Sequence, residues 1–365
     1  MSNNVKFALL LICTIFSAVT IIKLFNLSED IIHYQNRFIR RFPQHVAQEI
    51  HQTDLVFNSY YFAGIGKGKI YLGNYTAPLQ LTVLDSTLKE KKIFHIELME
   101  QNLPFQAPQI RVLGDHFFVF EGIVPYIFKG NISNWKASLK IHSGYYFSQL
   151  EPMDSVNMAI RYLTPKSGES LIGALNLIDT TKVSYEAKLL QKQFDGIFDT
   201  DGSLLFNKSL NRLVYVYRYR NEFIVADPLL NLDYRGNTID TVSQAQVRLA
   251  QVKNSSMKTF AEPPLIVNKT TAVDGNLLFV NSLLPGLYES KNIWKIASIV
   301  DVYDLTDKTY RSSFPIYHIN GKKMKGMLVS GNLLYALIGE KIVCYKILEH
   351  LNQDRAVRDY AHSMY

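Results

Sequence analysis

Two hydrophobic patterns divide the chain near residue 54. Residues Phe7 to Ile22 form an almost unbroken apolar run behind a short polar segment carrying Lys6, the layout of a signal sequence or signal anchor. The run falls short of the ~20 residues that span a bilayer comfortably, but Leu24 and Phe25 extend it past Lys23, whose stem can lie along apolar surface. Residues 1–25 therefore read as an anchor. A cleaved signal peptide is the other reading, since Ser17-Ala18 offers small residues in mid-run. From Asn26 to Asp54 the chain turns polar and basic-aromatic, a juxtamembrane linker in which Ile31, Ile32, Phe38, Ile39 and Phe42 recur at partly helical spacing. This predicts a helix ending near Pro43, with Arg37, Arg40 and Arg41 either on lipid headgroups or on a stalk packed against the next domain.

Residues 55–348 carry a different pattern, short apolar strands behind tight turns. A turn group followed by an apolar strand occurs as Gly66-Lys67-Gly68-Lys69-Ile70-Tyr71-Leu72, as Leu113-Gly114-Asp115-His116-Phe117-Phe118-Val119-Phe120 and as Val273-Asp274-Gly275-Asn276-Leu277-Leu278-Phe279-Val280. It returns as Val329-Ser330-Gly331-Asn332-Leu333-Leu334-Tyr335-Ala336, and without glycine as Ser209-Leu210-Asn211-Arg212-Leu213-Val214-Tyr215-Val216. Hairpin corners of this length need positive φ, which Gly adopts freely and Asn tolerates. A second group closes a later strand: Val83-Leu84-Asp85-Ser86-Thr87, Leu177-Ile178-Asp179-Thr180-Thr181 and Val302-Tyr303-Asp304-Leu305-Thr306, where the Asp can cap the following turn. The spacing, about 45 to 60 residues with one corner missing between His116 and Asn211, suits four-stranded propeller blades. The expectation is an all-β fold, a β-propeller of about six blades preceded by the N-terminal hydrophobic signal or anchor helix. The segment from Val56 to Tyr61 is expected to complete the last blade and close the ring, leaving a polar C-terminal tail over 349–365.

Composition agrees with a large β core: 22 Tyr and 21 Phe supply rings suited to a pleated, half-buried surface. The net charge of +7 is spread along the chain without the basic runs that track a phosphate backbone, so nucleic acid is not an expected partner. Cys13 lies in the apolar run and Cys344 in an apolar strand, so the two do not pair; Cys344 reads as a small core residue.

In the fourth unit, Asp201-Gly202-Ser203-Leu204-Leu205-Phe206 leads to Arg212-Leu213-Val214-Tyr215-Val216-Tyr217 and then to Asn221-Glu222-Phe223-Ile224-Val225-Ala226-Asp227. This resembles the blades of TolB-like six-bladed β-propeller proteins of the bacterial cell envelope, although the regular Ser-Pro-Asp-Gly turns of that family are absent. The resemblance implies a binding or docking module. It also implies an inner-membrane-anchored protein facing the periplasm, or a periplasmic one if the signal is removed.

No nucleophile elbow, Walker loop or dinucleotide fingerprint occurs, and the histidines show no metal-ligand spacing, so neither a cofactor nor a metal is expected. Asp199-Thr200-Asp201-Gly202 resembles the start of a calcium loop but reads as an Asp-Gly turn, its further ligands being absent. Four arginines are the candidate ligand-binding residues. Arg111 and Arg161 fall in segments read as innermost strands, where an inward cation needs water or a partner. Arg218 and Arg220 follow Tyr215, Tyr217 and Tyr219 at a basic strand end and could hold a carboxylate or phosphate. The expected role is therefore non-enzymatic, with an envelope protein or a small anionic ligand as partner. The alternative is a propeller hydrolase or lyase with its site at the mouth of the axial channel, which alanine at Arg111, Arg161, His116 and His318 would test; no catalytic residue is assigned.

Overall fold

The computed structural model describes residues 3–100, 103–142, 144–179, 183–251 and 258–347. Six antiparallel sheets of four strands follow one another along the chain, the second widened by a short fifth strand, Glu97–Leu98, that pairs parallel to its outer edge, and the first strand of each packs beside the first strand of the next. Blade 1 comprises Tyr60–Gly66, Lys69–Asn74, Gln80–Asp85 and Lys91–His95, and blade 2 Gln109–Leu113, His116–Glu121, Tyr126–Asn131 and Lys136–His142. Blade 3 is built from Phe147–Pro152, Asn157–Leu163, Ser170–Asn176 and Val183–Glu186, and blade 4 from Gly202–Asn207, Arg212–Tyr217, Glu222–Ala226 and Leu232–Asn237. Blade 5 contains Asn268–Asp274, Leu277–Ser282, Ala297–Asp304 and Thr309–Tyr317. Blade 6 takes Met324–Ser330, Leu333–Ile338 and Lys341–Ile347 from the end of the chain and borrows its outermost strand, Ala47–Asp54, from the beginning. The six-bladed propeller is as expected.

The closing strand is not at Val56–Tyr61. Ala47 pairs with Ile347 and Asp54 with Lys341, whereas Tyr60 already opens the innermost strand of blade 1. The shift has a physical reason. Ala47–Asp54 reads as linker because most of its side chains are exposed; an outermost blade strand contributes its backbone ladder rather than an apolar face.

Middle strands read as continuous apolar runs because both blade faces are buried. In blade 4, Leu213, Tyr215 and Tyr217 pack toward blade 3 while Val214 and Val216 pack toward blade 5. Each of the six blade interfaces has its own apolar cluster, including one between blades 6 and 1 built from Tyr335, Leu337, Ile342 and Cys344 against Tyr60, Ile70, Leu72 and Leu84. Cys344 is fully buried there, as expected, and burial pushes its thiol pKa up to about 11.

The turn chemistry agrees with the sequence pattern. Gly68, Gly114, Asn211, Gly275 and Gly331 all have φ between 54° and 70° at the corners between first and second strands. Blade 3, whose corner carries no such signal, turns on Asp154, which accepts from the Val156 and Asn157 amides at 2.6 and 2.7 Å. At the end of the third strand, Asp85 and Asp304 cap their turns as expected. Asn131, Asn176 and Asp227 do the same in blades 2, 3 and 4. In blade 3 the cap is thus Asn176, three positions before Asp179; Thr180 and Thr181 lie outside the described residues, as does the tail at 349–365.

In an antiparallel meander these two turn sets share one end of the blade, and the chain passes to the next blade at the other. One face of the ring is therefore all tight turns, and the opposite face collects every long connection.

At the N-terminus a helix, α1, runs from Asn3 to Gln35, and its segment Asn4–Phe25 is long and apolar enough to cross a membrane and wholly outside the core. It does not continue to Pro43. Residues 36–40 alternate, with Asn36, Phe38 and Arg40 buried and Arg37 and Ile39 exposed, which is the two-residue period of an extended strap. Phe38 and Ile39 are adjacent, so the apolar positions do not announce a two-residue period; the buried partners of Phe38 and Arg40 select the extended form.

Closure of the ring by Ala47–Asp54 is directly testable. A chain beginning at Asn36 should unfold in one cooperative thermal transition, whereas one beginning at Leu55 should lose that transition or shift it down by more than about 10 °C, several kcal/mol of lost pairing. Scanning calorimetry on both truncations, and on a third beginning at Val46 that keeps the strand without the strap, separates the two contributions.

Candidate functional site

The long-connection face gathers most of the charged side chains singled out by sequence. Arg161 lies in the second strand of blade 3, not in the innermost strand as expected; Phe147–Pro152 takes that place. Its Nη1 donates to Asp201 Oδ1 at 2.8 Å and its Nη2 to the Ile197 carbonyl at 3.1 Å. Asp201 Oδ2 accepts from Arg218 Nε at 2.7 Å, so one carboxylate bridges two arginines across the junction of blades 3 and 4. Asp199 is fully buried and accepts from the amides of Gln193, Phe194 and Gly196. Those bonds outweigh burial and hold its pKa below the usual carboxylate range. The Asp-Thr-Asp-Gly segment thus spends its carboxylates on amides and guanidinium groups.

Arg220 is not a solvated strand-end residue. It is 1% exposed, stacks over the Tyr217 ring at 3.6 Å, and donates to Glu222 at 3.0 Å and to the Gln191 carbonyl at 2.7 Å. Glu222 also accepts from Arg235 at 3.0 Å. Tyr215 donates to the Thr200 carbonyl and Tyr217 accepts from the Gln191 amide, so this face of the strand fixes the connection above it.

Arg111 does lie in an innermost strand, that of blade 2, and its Nε donates to Glu151 in the innermost strand of blade 3 at 3.3 Å. Burial raises the Glu151 pKa and Arg111 only partly offsets it. His116 sits at the tight-turn end of blade 2 and His318 beyond the outer strand of blade 5, so the two histidines do not converge with either arginine.

The most tightly bound charge is one that sequence reasoning assigned to lipid headgroups or a stalk. Arg40, its side chain fully buried, uses all five donor positions: Nε to Asp301 Oδ1 at 2.6 Å, Nη2 to Asp301 Oδ2 at 3.0 Å and to Ser282 Oγ at 2.9 Å, Nη1 to Glu289 at 2.7 Å and to the Leu284 carbonyl at 2.9 Å. Phe38 and Trp294 flank the guanidinium, and Trp294 Nε1 donates to Glu289 at 2.8 Å. Burial alone would lower the Arg40 pKa; Asp301 and then Glu289 reverse this and raise it. Asp240, close enough to feel both Asp301 and Arg40, has its pKa pushed up to about 6, mainly by burial. Phe38 packs on Val267 and Leu284, the Leu287 amide donates to the Phe38 carbonyl, and the Ser313 amide to that of Arg41. The stalk reading of this segment is what the structure has. The alternation of residues 36–40 lies in burial and not in residue type, Asn-Arg-Phe-Ile-Arg, so the sequence carries no local sign of it.

Beside the strap runs a groove of about 840 Å³ between blades 5 and 6, lined by Ile39, Phe42, Tyr288, Ile293, Tyr317 and Ile319 among others.

No family model matches the chain, and no curated protein matches it. Among solved structures, a member of the duf4221 family from Bacteroides vulgatus superposes with a TM-score of 0.48 at 14% identity, covering 86% of this chain and 98% of that one. A structural genomics protein of unknown function from Bacteroides thetaiotaomicron gives 0.47 at 10% identity, covering 84% and 73%. The Pan2 WD40 domain of Neurospora crassa gives 0.47 at 7% identity, covering 84% and 97%.

Two substitutions probe the Arg40 lock. Arg40→Met strands Asp301 without its counter-charge and should cost about 3–5 kcal/mol in urea unfolding, the usual penalty for breaking a buried pair. Asp240→Asn should act oppositely. Its carboxyl is raised in the folded state, so the native form binds the extra proton between the ordinary carboxylate pKa and about 6, and stability from this group falls as pH rises through that window. The variant should gain on the order of 2–3 kcal/mol at pH 7 over the parent chain and lose that advantage near pH 4.

Proposed function

We propose that this chain is a membrane-tethered docking module. Residues 1–25 anchor it, the strap fixes the anchor to blade 5, and the long-connection face of the ring receives another protein of the cell envelope, without catalysis. In this reading the ring faces the periplasm and stands with the TolB-like propellers that its fourth blade resembles.

The observation that carries the proposal is the joint between α1 and the ring. An apolar helix outside the core is followed, within five residues of its end, by the saturated Arg40. The lock ties the end of α1 to the folded blade, so that a retained helix would hold the propeller in a fixed attitude.

The paired arginines favour a protein surface over a small anion. A free carboxylate or phosphate reaching Arg161 or Arg218 meets a charge already offset by Asp201, and one reaching Arg111 a charge offset by Glu151. A protein surface can instead use the exposed apolar tips of the long connections, such as Phe57, Ile123 and Tyr146.

Photo-crosslinkers placed at Phe57, Ile123 and Tyr146 in cells should trap one discrete protein from the alkali-resistant membrane fraction, and probes at Ile178 and Leu229 on the tight-turn face should not. Release of the chain by alkaline carbonate refutes the tether, and equal yields from both faces refute the docking surface.

A further inference from the structure

We infer that the groove between blades 5 and 6 is a binding site for an acyl chain of an anionic membrane phospholipid. The inference rests on the tether proposed above and adds a ligand to it.

The groove has the size and chemistry of a ligand site. Its volume of about 840 Å³ lies within the range of roughly 300–1,000 Å³ typical of small-molecule pockets. Ile39 at 60% exposure, Phe42 at 42%, Tyr288 at 80% and Tyr317 at 54% converge on one trough. Its floor is the buried core of the blade 5–6 interface, Val46, Phe314 and Tyr345. Arg40 and Glu289 on the wall are paired with each other and all five Arg40 donors are occupied, which leaves the exposed Glu49 carboxylate as the other acidic group on the lining.

Positive charge gathers at one end. His318 lines the groove, and Lys322 is bridged to groove-lining Ile319 by backbone hydrogen bonds in both directions, with Lys323 next in the chain; burial followed by the fields of Lys323 and Lys269 holds the His318 pKa down. Lys269 is itself lowered by burial and by Lys323, so these cations sit close enough to repel. Its Nζ finds a neutral partner, the Met324 carbonyl at 2.5 Å. An apolar trough with a cationic end is the complement of an acyl chain with an anionic head.

Chain geometry supplies the source. Ten helical residues separate Phe25, where the apolar segment ends, from Gln35, a rise of about 15 Å, and Ile39 follows four residues later on the groove wall. A bilayer holding α1 therefore lies within a lipid's length of the groove.

Trp294 gives a built-in reporter. It is one of two tryptophans, it neighbours Ile293 in sequence, and it donates to groove-lining Glu289. The full chain carrying Trp135→Phe would be reconstituted in vesicles containing phosphatidylglycerol brominated on its acyl chains. Trp294 emission should be quenched relative to unbrominated vesicles. Ile39→Asp or Phe42→Asp, both at exposed positions, should abolish the quenching, and Lys323→Gln should weaken the preference for phosphatidylglycerol over phosphatidylcholine by about fivefold. Unquenched Trp294 in a chain that floats with the vesicles overturns the lipid site while leaving the tether intact; failure to float is the failure of the tether. Quenching unchanged by the Asp variants overturns the site as well. So does quenching seen only after residues 348–365 are removed, which would give the groove to the chain's own C-terminus.

Discussion

A guanidinium group withdrawn from water has five donors to satisfy and a charge to balance, and the position of Arg40 is set by where that can be done. Asp301 lies in the third strand of blade 5, Ser282 ends the second, and Leu284 and Glu289 belong to the connection between them. All four exist as a constellation only once blade 5 has formed. The strap is consequently read out by the folded blade, and its direction after Arg40 delivers Ala47 to the open edge of blade 6. Anchor position, groove wall and ring closure are therefore consequences of one buried cation.

The ring around it is held by repetition. Each blade is too thin to have an interior of its own, and its two faces become core only against its neighbours, which is why the six apolar clusters sit at interfaces. The same arrangement separates economy from variation. Tight turns at one end use Gly, Asn and Asp for conformational reasons, while the connections at the other end are free to differ in length and carry the Asp201 pairs with Arg161 and Arg218 and the short helix Lys291–Ile296.

Much of this was legible in the chain. Gly68, Gly114, Asn211, Gly275 and Gly331 announce their corners because positive φ restricts residue choice, and Asp85 and Asp304 announce theirs through side-chain caps. Asn131, Asn176 and Asp227 do the same work in less conspicuous company. The closing strand was hidden because an outer strand pairs through backbone and leaves no alternating apolar face. The partners of Arg161, Arg218 and Arg220 were hidden for another reason: an ion pair between residues 161 and 201 has no local signature. The charges of the four arginines were visible and their neutralisation was not, so they looked available for a ligand when each already holds a carboxylate.

The pairing of Ala47 with Ile347 also has a meaning in time. During synthesis Ala47–Asp54 leaves the ribosome some three hundred residues before Lys341–Ile347, the strand it must join. Until then its ladder groups are unpaired and blade 6 does not exist, the state in which a β protein is most exposed to misassembly. A contact of such long sequence separation forms late and slowly. Attachment of the early strand to a helix already lodged in a membrane would confine both ends of the future blade to one small region, raising their effective concentration. In the proposed tether, α1 would thus act in the folding of the nascent chain before it acts in the finished protein.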